Sequence, residues 1–295
     1  IIFLYYNVHM KPILLTETIK NEQMLDEWLN DHLFSKKQRH LLKMEKRIRV
    51  NHQIITHNIH LFKDDLLEIN CAKEEQDDLE PIDLDLEILY EDDIVLVVNK
   101  PIHMIVHEDG NHPITLDQAV AGYFQKTDQI CPIRHIHRLD KDTSGCILYC
   151  KQSYLQPYFD HAIKTKQIQR TYLAIVQGKI NQAMTINKSI GKDRHANRFR
   201  ISSNGIKAIT HLKPLTYKKN KTLIECQLET GRTHQIRVHL AGINHPLIGD
   251  ELYGTASPYR CMLHSYSLSF IHPLTHKKIK VICEMPKDMR LCMES

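Results

Sequence analysis

Two rhythms of apolar residues divide the chain. In the first, Leu25, Trp28, Leu29 and Leu33 recur three or four residues apart, the spacing of an amphipathic helix. Ser35 is placed to cap a second helix over 36–46, with Leu41, Leu42 and Met44 as its apolar contacts. Two short strands, 48–51 and 66–69, follow, with Asp64-Asp65 turning the chain into the second. The polar stretch 73–86, acidic and containing Pro81, reads as a linker. Beyond it strands dominate. Residues 86–90 and 94–99 flank the turn Glu91-Asp92-Asp93. After a loop over 108–113, Leu116, Ala119, Val120, Tyr123 and Phe124 share one helical face. Cys146-Ile147-Leu148-Tyr149-Cys150 is apolar throughout and reads as a short buried strand. A helix is expected over 153–165 and a strand over 170–176, where Tyr172 shares a face with Ala174 and Val176. Residues 191–204, with Lys192, Arg194, His195, Arg198 and Arg200, read as a basic hairpin tip before strands 207–217 and 222–228. Gly231 permits a tight turn, and Thr233 is placed to cap a helix that runs to Ala241 and stops at Gly242. The domains expected are an N-terminal segment without ordered structure (1–12), a small unit (13–72), the acidic linker (73–86) and a large unit (87–295).

Composition narrows the class. With 42% hydrophobic and 25% charged residues, the 295-residue chain is ordinary for a globular protein. No run of about 18 apolar residues offers a membrane span. The apolar start, 1–8, lacks the basic n-region and cleavage site of a signal peptide, and Met10 is a candidate natural start, which would make 1–9 non-native. Eight cysteines without a Cys-x-x-Cys pair read as free thiols in a reducing cytosol. Among 20 histidines, the closest pairs, His57-x-x-His60 and His135-x-His137, lack a second pair at zinc-like spacing, so no metal site is expected. The net charge of +4 hides an uneven distribution. Residues 73–93 hold eleven acids against one lysine, so that strip carries −10 and the remainder +14. A basic body suits a phosphate-bearing partner or a merely solvated surface. The helix 36–46, with Lys36, Lys37, Arg39 and Lys43, has the charge to lie along a phosphate backbone.

Candidate chemistry gathers at Ile136-His137-Arg138-Leu139-Asp140-Lys141-Asp142-Thr143-Ser144-Gly145, a charged turn before the buried strand. A carboxylate beside a guanidinium stays ionised and can act as a nucleophile, or the two can simply close a loop as an ion pair. Asp142 competes with Asp140 for the role. A glycoside hydrolase would need a second acid in a matching motif, and none stands out. A Ser144 nucleophile would need a Gly-x-Ser-x-Gly elbow, which is missing. At Thr230-Gly231-Arg232-Thr233-His234-Gln235-Ile236-Arg237, the residues Arg232, His234 and Arg237 crowd a strand-to-helix junction with donors and positive potential.

The phrase His137-Arg138-Leu139-Asp140, with Thr143-Ser144-Gly145, resembles the signature of the RluA-type RNA pseudouridine synthases. So do Val97-Val98-Asn99-Lys100-Pro101, the strand Thr171-Tyr172-x-Ala174, and the string from Gly231 through His245-Pro246-Leu247-Ile248-Gly249-Asp250 to Tyr253-Gly254. More loosely, 24–70 resembles an S4 RNA-binding domain. Three positions depart from these patterns. Lys46-Arg47 and Asp64 stand where S4 domains commonly have glycine, and Ile102-His103 replaces a small pair ending in glycine. The resemblance implies an α+β fold: a large mixed, mainly antiparallel sheet with flanking helices and a central cleft, plus a small S4-like α/β domain. It implies isomerisation of uridine in RNA, ribosomal RNA being favoured over tRNA, without cofactor or metal; the free thiols set the expectation of a cytoplasmic protein, and a monomer is the default where the residues do not give the oligomeric state. Among residues, it implies Asp140 as catalytic group, Arg237 paired to it, and Tyr172 stacked on uracil and helping to remove the C5 proton. Arg138 would fill the vacated gap or touch phosphate, and Leu263 would pack beside the base. His137, Arg232 and His234, with Lys36, Lys37 and Arg39, would contact RNA. An RNA-binding factor that has lost catalysis is the other class, and the intact Asp140, Tyr172 and Arg237 argue against it.

Overall fold

The structure, a computed structural model, describes residues 11–108, 110, 114–194, 196–255 and 257–295. The expectations for 1–10, including Met10, and for His195 lie outside the described residues, as do positions 109 and 111–113 of the expected loop.

The first unit runs β1 (Leu14–Thr18), β2 (Gln23–Met24), α1 (Leu25–Asp31), α2 (Lys36–Met44), β3 (Ile48–Val50), β4 (Gln53–Ile55), β5 (His60–Leu61) and β6 (Leu66–Asn70). Its sheet has the order β1-β6-β3-β4, and β2 pairs with β5 beside it. Leu25, Trp28 and Leu29 are buried as their spacing predicts. The helix stops before Leu33, which turns left-handed at φ 71, and Phe34 enters the core instead. Ser35 caps α2: its hydroxyl accepts from the Gln38 N–H at 3.3 Å, and the Gln38 side chain accepts from the Ser35 N–H at 2.9 Å. Met44 does not make the expected core contact and is 67% exposed. It lies two residues from buried Leu42, and positions two apart point to different sides of a helix.

The second unit contains β7 (Ile88–Glu91), β8 (Val95–Lys100), α3 (Leu116–Lys126), β9 (Arg134–His135), β10 (Ser144–Cys150), α4 (Gln156–Lys164), β11 (Gln169–Gln177) and β12 (Met184–Asn187). It continues through β13 (Ile190–Lys192), β14 (Phe199–Ile201), β15 (Ile209–Lys218), β16 (Lys221–Leu228), α5 (Gln235–Ala241), β17 (Leu263–Ile271), β18 (Lys278–Ile282) and α6 (Lys287–Glu294). A ten-stranded sheet has the order β12-β15-β16-β11-β17-β10-β8-β7, with β18 also on β17 and β9 on β10. The β10–β17 pair is parallel and the others are antiparallel, so the sheet is mixed and mainly antiparallel.

Strand alternation splits the core in two. Cys146, Leu148 and Cys150 of β10 face one side with Val95 and Val97 of β8, while Ile147, Tyr149, Leu96 and Val98 face the other. On the first side the apolar cluster continues through Phe159 and Ala162 of α4 into Trp28, Leu42 and Ile69 of the N-terminal unit. That unit is therefore packed on the back of the sheet. Gln38 Nε2 donates to the Ser153 carbonyl at 3.1 Å, and the Tyr154 hydroxyl donates to Glu45 at 3.2 Å. Residues 73–87 carry no helix or strand, yet they are tied to the body. The Arg134 guanidinium donates to both oxygens of Asp77 at 2.7 Å, and the Ile82 N–H donates to Gln118 O at 3.1 Å.

The second side, with α3, carries the cleft. The loop holding Asp140 ends where β10 begins, and β17 separates β10 from Tyr172 on β11. Gly145 makes this spacing possible. Its φ is +111°, and a Cβ there would lie 2.3 Å from the Ser265 carbonyl oxygen of β17. The β11–β17 register shifts between Thr171 and Tyr172, an irregularity at the residue that faces the cleft.

Candidate active site

A cavity of about 900 Å³ opens on this side, lined among others by His137, Arg138, Asp140, Tyr172, Arg237 and Leu263. Residues far apart in sequence thus share one space. Asp140 is reached from a later segment: Arg237 Nη1 lies 3.5 Å from Asp140 Oδ2. That single contact is long for a hydrogen bond.

The expected ion pair is therefore not the main anchor of Arg237. Its Nε and Nη2 donate to the two carboxylate oxygens of Asp250 at 2.8 and 2.7 Å, a bidentate pair with a carboxylate that is fully buried. Asp250 Oδ1 also accepts from the Leu252 and Tyr253 N–H groups, both at 3.1 Å. The Tyr253 ring lies 5.2 Å from the guanidinium carbon and closes another side. Burial disfavours the charge on Arg237, but the hydrogen bonds and charge of Asp250 outweigh it, and the guanidinium holds its proton more tightly than in water. Asp250 and Tyr253 were visible only as letters of a motif. Their role shows once the chain has turned at Gly249, left-handed at φ +74°, and Asp250 meets Arg237.

Asp142, the competing nucleophile, does not line the cavity and pairs with His103 Nδ1 at 2.9 Å. The Asp140 loop is braced from behind by Lys100. This lysine is completely buried, and its ammonium donates to the carbonyls of Pro101 at 2.7 Å, Met104 at 2.6 Å and Lys141 at 3.1 Å. Burial pulls its pKa down to about 7, against the opposing charges of Asp142 and Asp140.

Tyr172 is 4% exposed and shares its cluster with Ala174 and Val176, the face its alternation predicts. Burial raises its phenol pKa, so the hydroxyl stays protonated at neutral pH. Leu263, buried at the start of β17, lies in the same wall. His137 is buried and neutral. Its pKa falls to about 3 through burial first, then the charges of Arg170 and His135. Leu148 N–H reaches its Nε2 at 3.4 Å, while Nδ1 has no hydrogen-bond partner among the described residues. Arg138 is exposed at the mouth and donates to His107 Nε2 at 3.2 Å.

Thr233 does not cap α5. The residue before the helix is His234, left-handed at φ 54 and without a side-chain cap. The Gln235 amide secures the junction instead, accepting from Thr230 Oγ1 at 2.7 Å and from the Arg232 N–H at 3.1 Å while donating to Thr210 Oγ1 at 3.0 Å. Arg232 and His234 line the cavity, but Lys36, Lys37 and Arg39 do not. Lys36 and Lys37 are exposed on α2, and Arg39 donates to Asn30 at 2.7 Å.

The comparisons agree with this geometry. A family model described as RNA pseudouridylate synthase matches residues 94–242, and one described as the RluD ribosomal pseudouridine synthase N-terminal domain matches 15–67. YhcT of Bacillus subtilis, named an uncharacterized RNA pseudouridine synthase, is 40% identical over 256 residues, 84% of each chain. Ribosomal large subunit pseudouridine synthase D of Zymomonas mobilis is 37% identical over 232 residues, 72% of this chain and 73% of its own. In structure, human RNA pseudouridylate synthase domain containing 1 superposes with a TM-score of 0.58 at 28% identity, covering 68% of this chain and 83% of that one. Fold and cleft together define an isomerase that acts on RNA. The chain belongs to the RNA pseudouridylate synthase family, and its first unit is of the RluD N-terminal kind.

Proposed function

We propose that this enzyme converts specific uridines of large-subunit ribosomal RNA to pseudouridine, with Asp140 as the group that starts the reaction. The observation that carries this reading is the meeting of Asp140, Arg237 and Tyr172 in one cavity, although Asp140 and Arg237 are 97 residues apart in the chain. The reaction breaks the N1–C1′ bond, turns the bound uracil, joins C5 to C1′ and moves the C5 proton to N1. It is redox-neutral, so this chemistry calls for no cofactor. Asp140, aimed by Arg237, acts at the sugar, either by attack on C1′ or by elimination to a glycal. Tyr172 supports the uracil face, with Leu263 beside it. Arg138, exposed at the mouth, occupies the space left in the RNA stack or meets the flanking phosphate. His137, Arg232 and His234 hold the nucleotide from the cavity wall. Lys36, Lys37 and Arg39 on α2 provide a second contact with RNA.

Ribosomal RNA is favoured over tRNA because the first unit matches the RluD N-terminal domain and several relatives carry the ribosomal large subunit name. Such a substrate places the work in the cytoplasm. One chain supplies Asp140, Tyr172 and Arg237, so a monomer suffices.

The test is pseudouridine mapping by carbodiimide adduct and primer extension in cells with and without the gene, rescued by wild type or Asp140→Asn. Stops in large-subunit RNA that vanish with the gene and return only with wild type are expected, while the Asp140→Asn protein still binds RNA. Comparable turnover by Asp140→Asn would remove the nucleophile assignment, and stops confined to tRNA would move the target.

A further inference from the structure

Among the described residues no carboxylate meets the Arg138 guanidinium. The two acids that follow it in the loop are turned elsewhere, Asp140 toward Arg237 and Asp142 toward His103. Arg138 Nη1 donates instead to His107 Nε2 at 3.2 Å. Arginine can only donate, so Nε2 is the unprotonated nitrogen of a neutral imidazole. His107 comes 31 residues before Arg138 in the chain and lines the same cavity.

The His107 ring is supported from behind. It stacks on His135 with ring centroids 5.4 Å apart and planes 24° from parallel. His135 Nδ1 donates to the Asp117 carboxylate at 3.0 Å, and the Tyr149 hydroxyl of β10 donates to the same carboxylate at 2.8 Å. Asp117 is buried in the first turn of α3. The backbone before His107 is tied to that helix as well. The Leu116 and Asp117 N–H groups donate to Ile105 O and Val106 O, both at 2.9 Å. Strand, helix and loop therefore fix the ring before RNA arrives.

The place of Arg138 follows from this support. His135 and Arg138 belong to one segment, and His107 touches both. The guanidinium is thereby held in a set position relative to Asp140, which follows in the same loop. An exposed arginine otherwise spreads over many rotamers, and ordering it during the reaction costs entropy. A carboxylate in place of His107 would order the side chain too, but it would neutralise it and hold it by charge. A neutral acceptor orders the side chain, leaves its charge intact and gives it up at small loss. That suits a residue that has to leave its resting place when a nucleotide turns into the cleft.

We propose that His107 is a positioning residue for nucleotide capture. It holds Arg138 at the mouth, aimed and charged, until the target uridine leaves its stack and the guanidinium passes from the ring nitrogen to the RNA. The proposal rests on the reading of this enzyme as an RNA pseudouridine synthase in which Arg138 meets RNA. His107 acts through Arg138, and Asp117 and Tyr149 act through His135 to keep the ring in place.

The test follows tritium release from total RNA of cells that lack the gene, labelled at C5 of uridine, with the full chain in excess so that a single turnover is seen. The C5 hydrogen ends on N1, from which it exchanges into water. Rates at rising enzyme concentration separate the rate at saturation from the half-saturating concentration. His107→Phe keeps a ring against His135 and removes the acceptor. It should lower the saturating rate about 2- to 10-fold, the worth of one hydrogen bond, and leave the half-saturating concentration within about twofold. His107→Gln, whose amide oxygen reaches the place of Nε2, should recover most of that loss. Arg138→Met should lower the rate at least as far, and adding His107→Phe to it should lower it no further, because the two residues act as one unit. Losses that multiply in the double variant overturn the proposal, since they mean that His107 acts apart from Arg138. So does a loss confined to the half-saturating concentration, or a His107→Phe protein that melts like wild type and turns over as fast. If His107→Phe does not fold, His107→Leu takes its place with the same expectations. An absence of release by wild type would refute the synthase reading and this proposal with it, whereas wild-type release with the His107 results reversed refutes the proposal alone.

Discussion

The cleft and the N-terminal unit treat their key positions in opposite ways. In the cleft, Arg237 is fixed by two hydrogen bonds from its guanidinium to Asp250, by the Tyr253 ring, and by a looser contact to Asp140. In the N-terminal unit, two turns where S4 domains commonly place glycine carry Lys46 and Asp64, and both adopt the left-handed backbone anyway, at φ 56 and φ 70. His103, beside the buried Lys100, does the same at φ 61. Charge and hydrogen-bond geometry in the cleft depend on atoms that only particular side chains provide. A turn needs only a backbone angle, which another residue can reach at a cost of about 1–2 kcal/mol.

The largest effects should follow from breaking the cleft's double anchoring. Arg237→Ala removes the charge facing Asp140 and should lower kcat/KM by about 10²-fold or more. Asp250→Ala leaves a buried guanidinium with only the distant Asp140, so it should cost about 3–5 kcal/mol of stability and also lower the rate of the folded fraction. Urea titration beside single-turnover assays separates the two effects. If Asp250→Ala is destabilised but its folded fraction turns over like wild type, Asp250 supports the fold without aiming Arg237.

This contrast also explains what could be read from residues alone. Asp140, Arg138, Tyr172 and Arg237 stood out through the resemblance of their motifs to the family's, and the alternation of Tyr172 with Ala174 and Val176 set its face. Asp250 could not be assigned, since nothing in the order of residues says which carboxylate a buried arginine will meet across a fold. Thr233 looked like the cap of α5, but the left-handed turn falls one residue later, at His234, and Gln235 satisfies the junction through its amide. Strands β2 and β5 escaped detection because two residues each cannot display a period. The helix 36–46 was legible from Ser35 and its capping box, whereas Met44 was misplaced because the apolar stripe ends at Leu42.

Near neutral pH a smaller effect should come from a buried group of the cleft wall whose charge is excluded rather than held. His137 has its pKa lowered to about 3, against about 6.5 for an unfolded histidine. The unfolded chain therefore binds the extra proton first as pH falls. The stability from keeping this imidazole neutral is complete above pH 6.5 and is lost progressively from there toward pH 3. Its slope is at most about 1.4 kcal/mol per pH unit for one proton. Urea midpoints across that range should fall more steeply for wild type than for His137→Asn. Parallel curves would mean that His137 is hydrated in the native state.

The smallest effect tests the other side of the comparison. Lys46 ends the turn from α2 into β3 with φ 56, and its N–H donates to Lys43 O at 3.1 Å. Glycine reaches this angle without a Cβ clash, but it also has more freedom to lose on folding. The relief, about 1–2 kcal/mol, equals or exceeds that entropic loss of about 0.5–1 kcal/mol, so Lys46→Gly should stabilise the chain by up to about 1.5 kcal/mol. Asp64→Gly should gain less, because aspartate tolerates the left-handed region better than lysine, through local hydrogen bonds of its short side chain. Thermal melts of both variants, each checked for unchanged pseudouridine formation, measure the difference. Melting temperatures that drop in both would show that these side chains hold their turns by contacts worth more than the strain, and the division between a side-chain-determined cleft and a backbone-determined N-terminal unit would then fail at its weaker half.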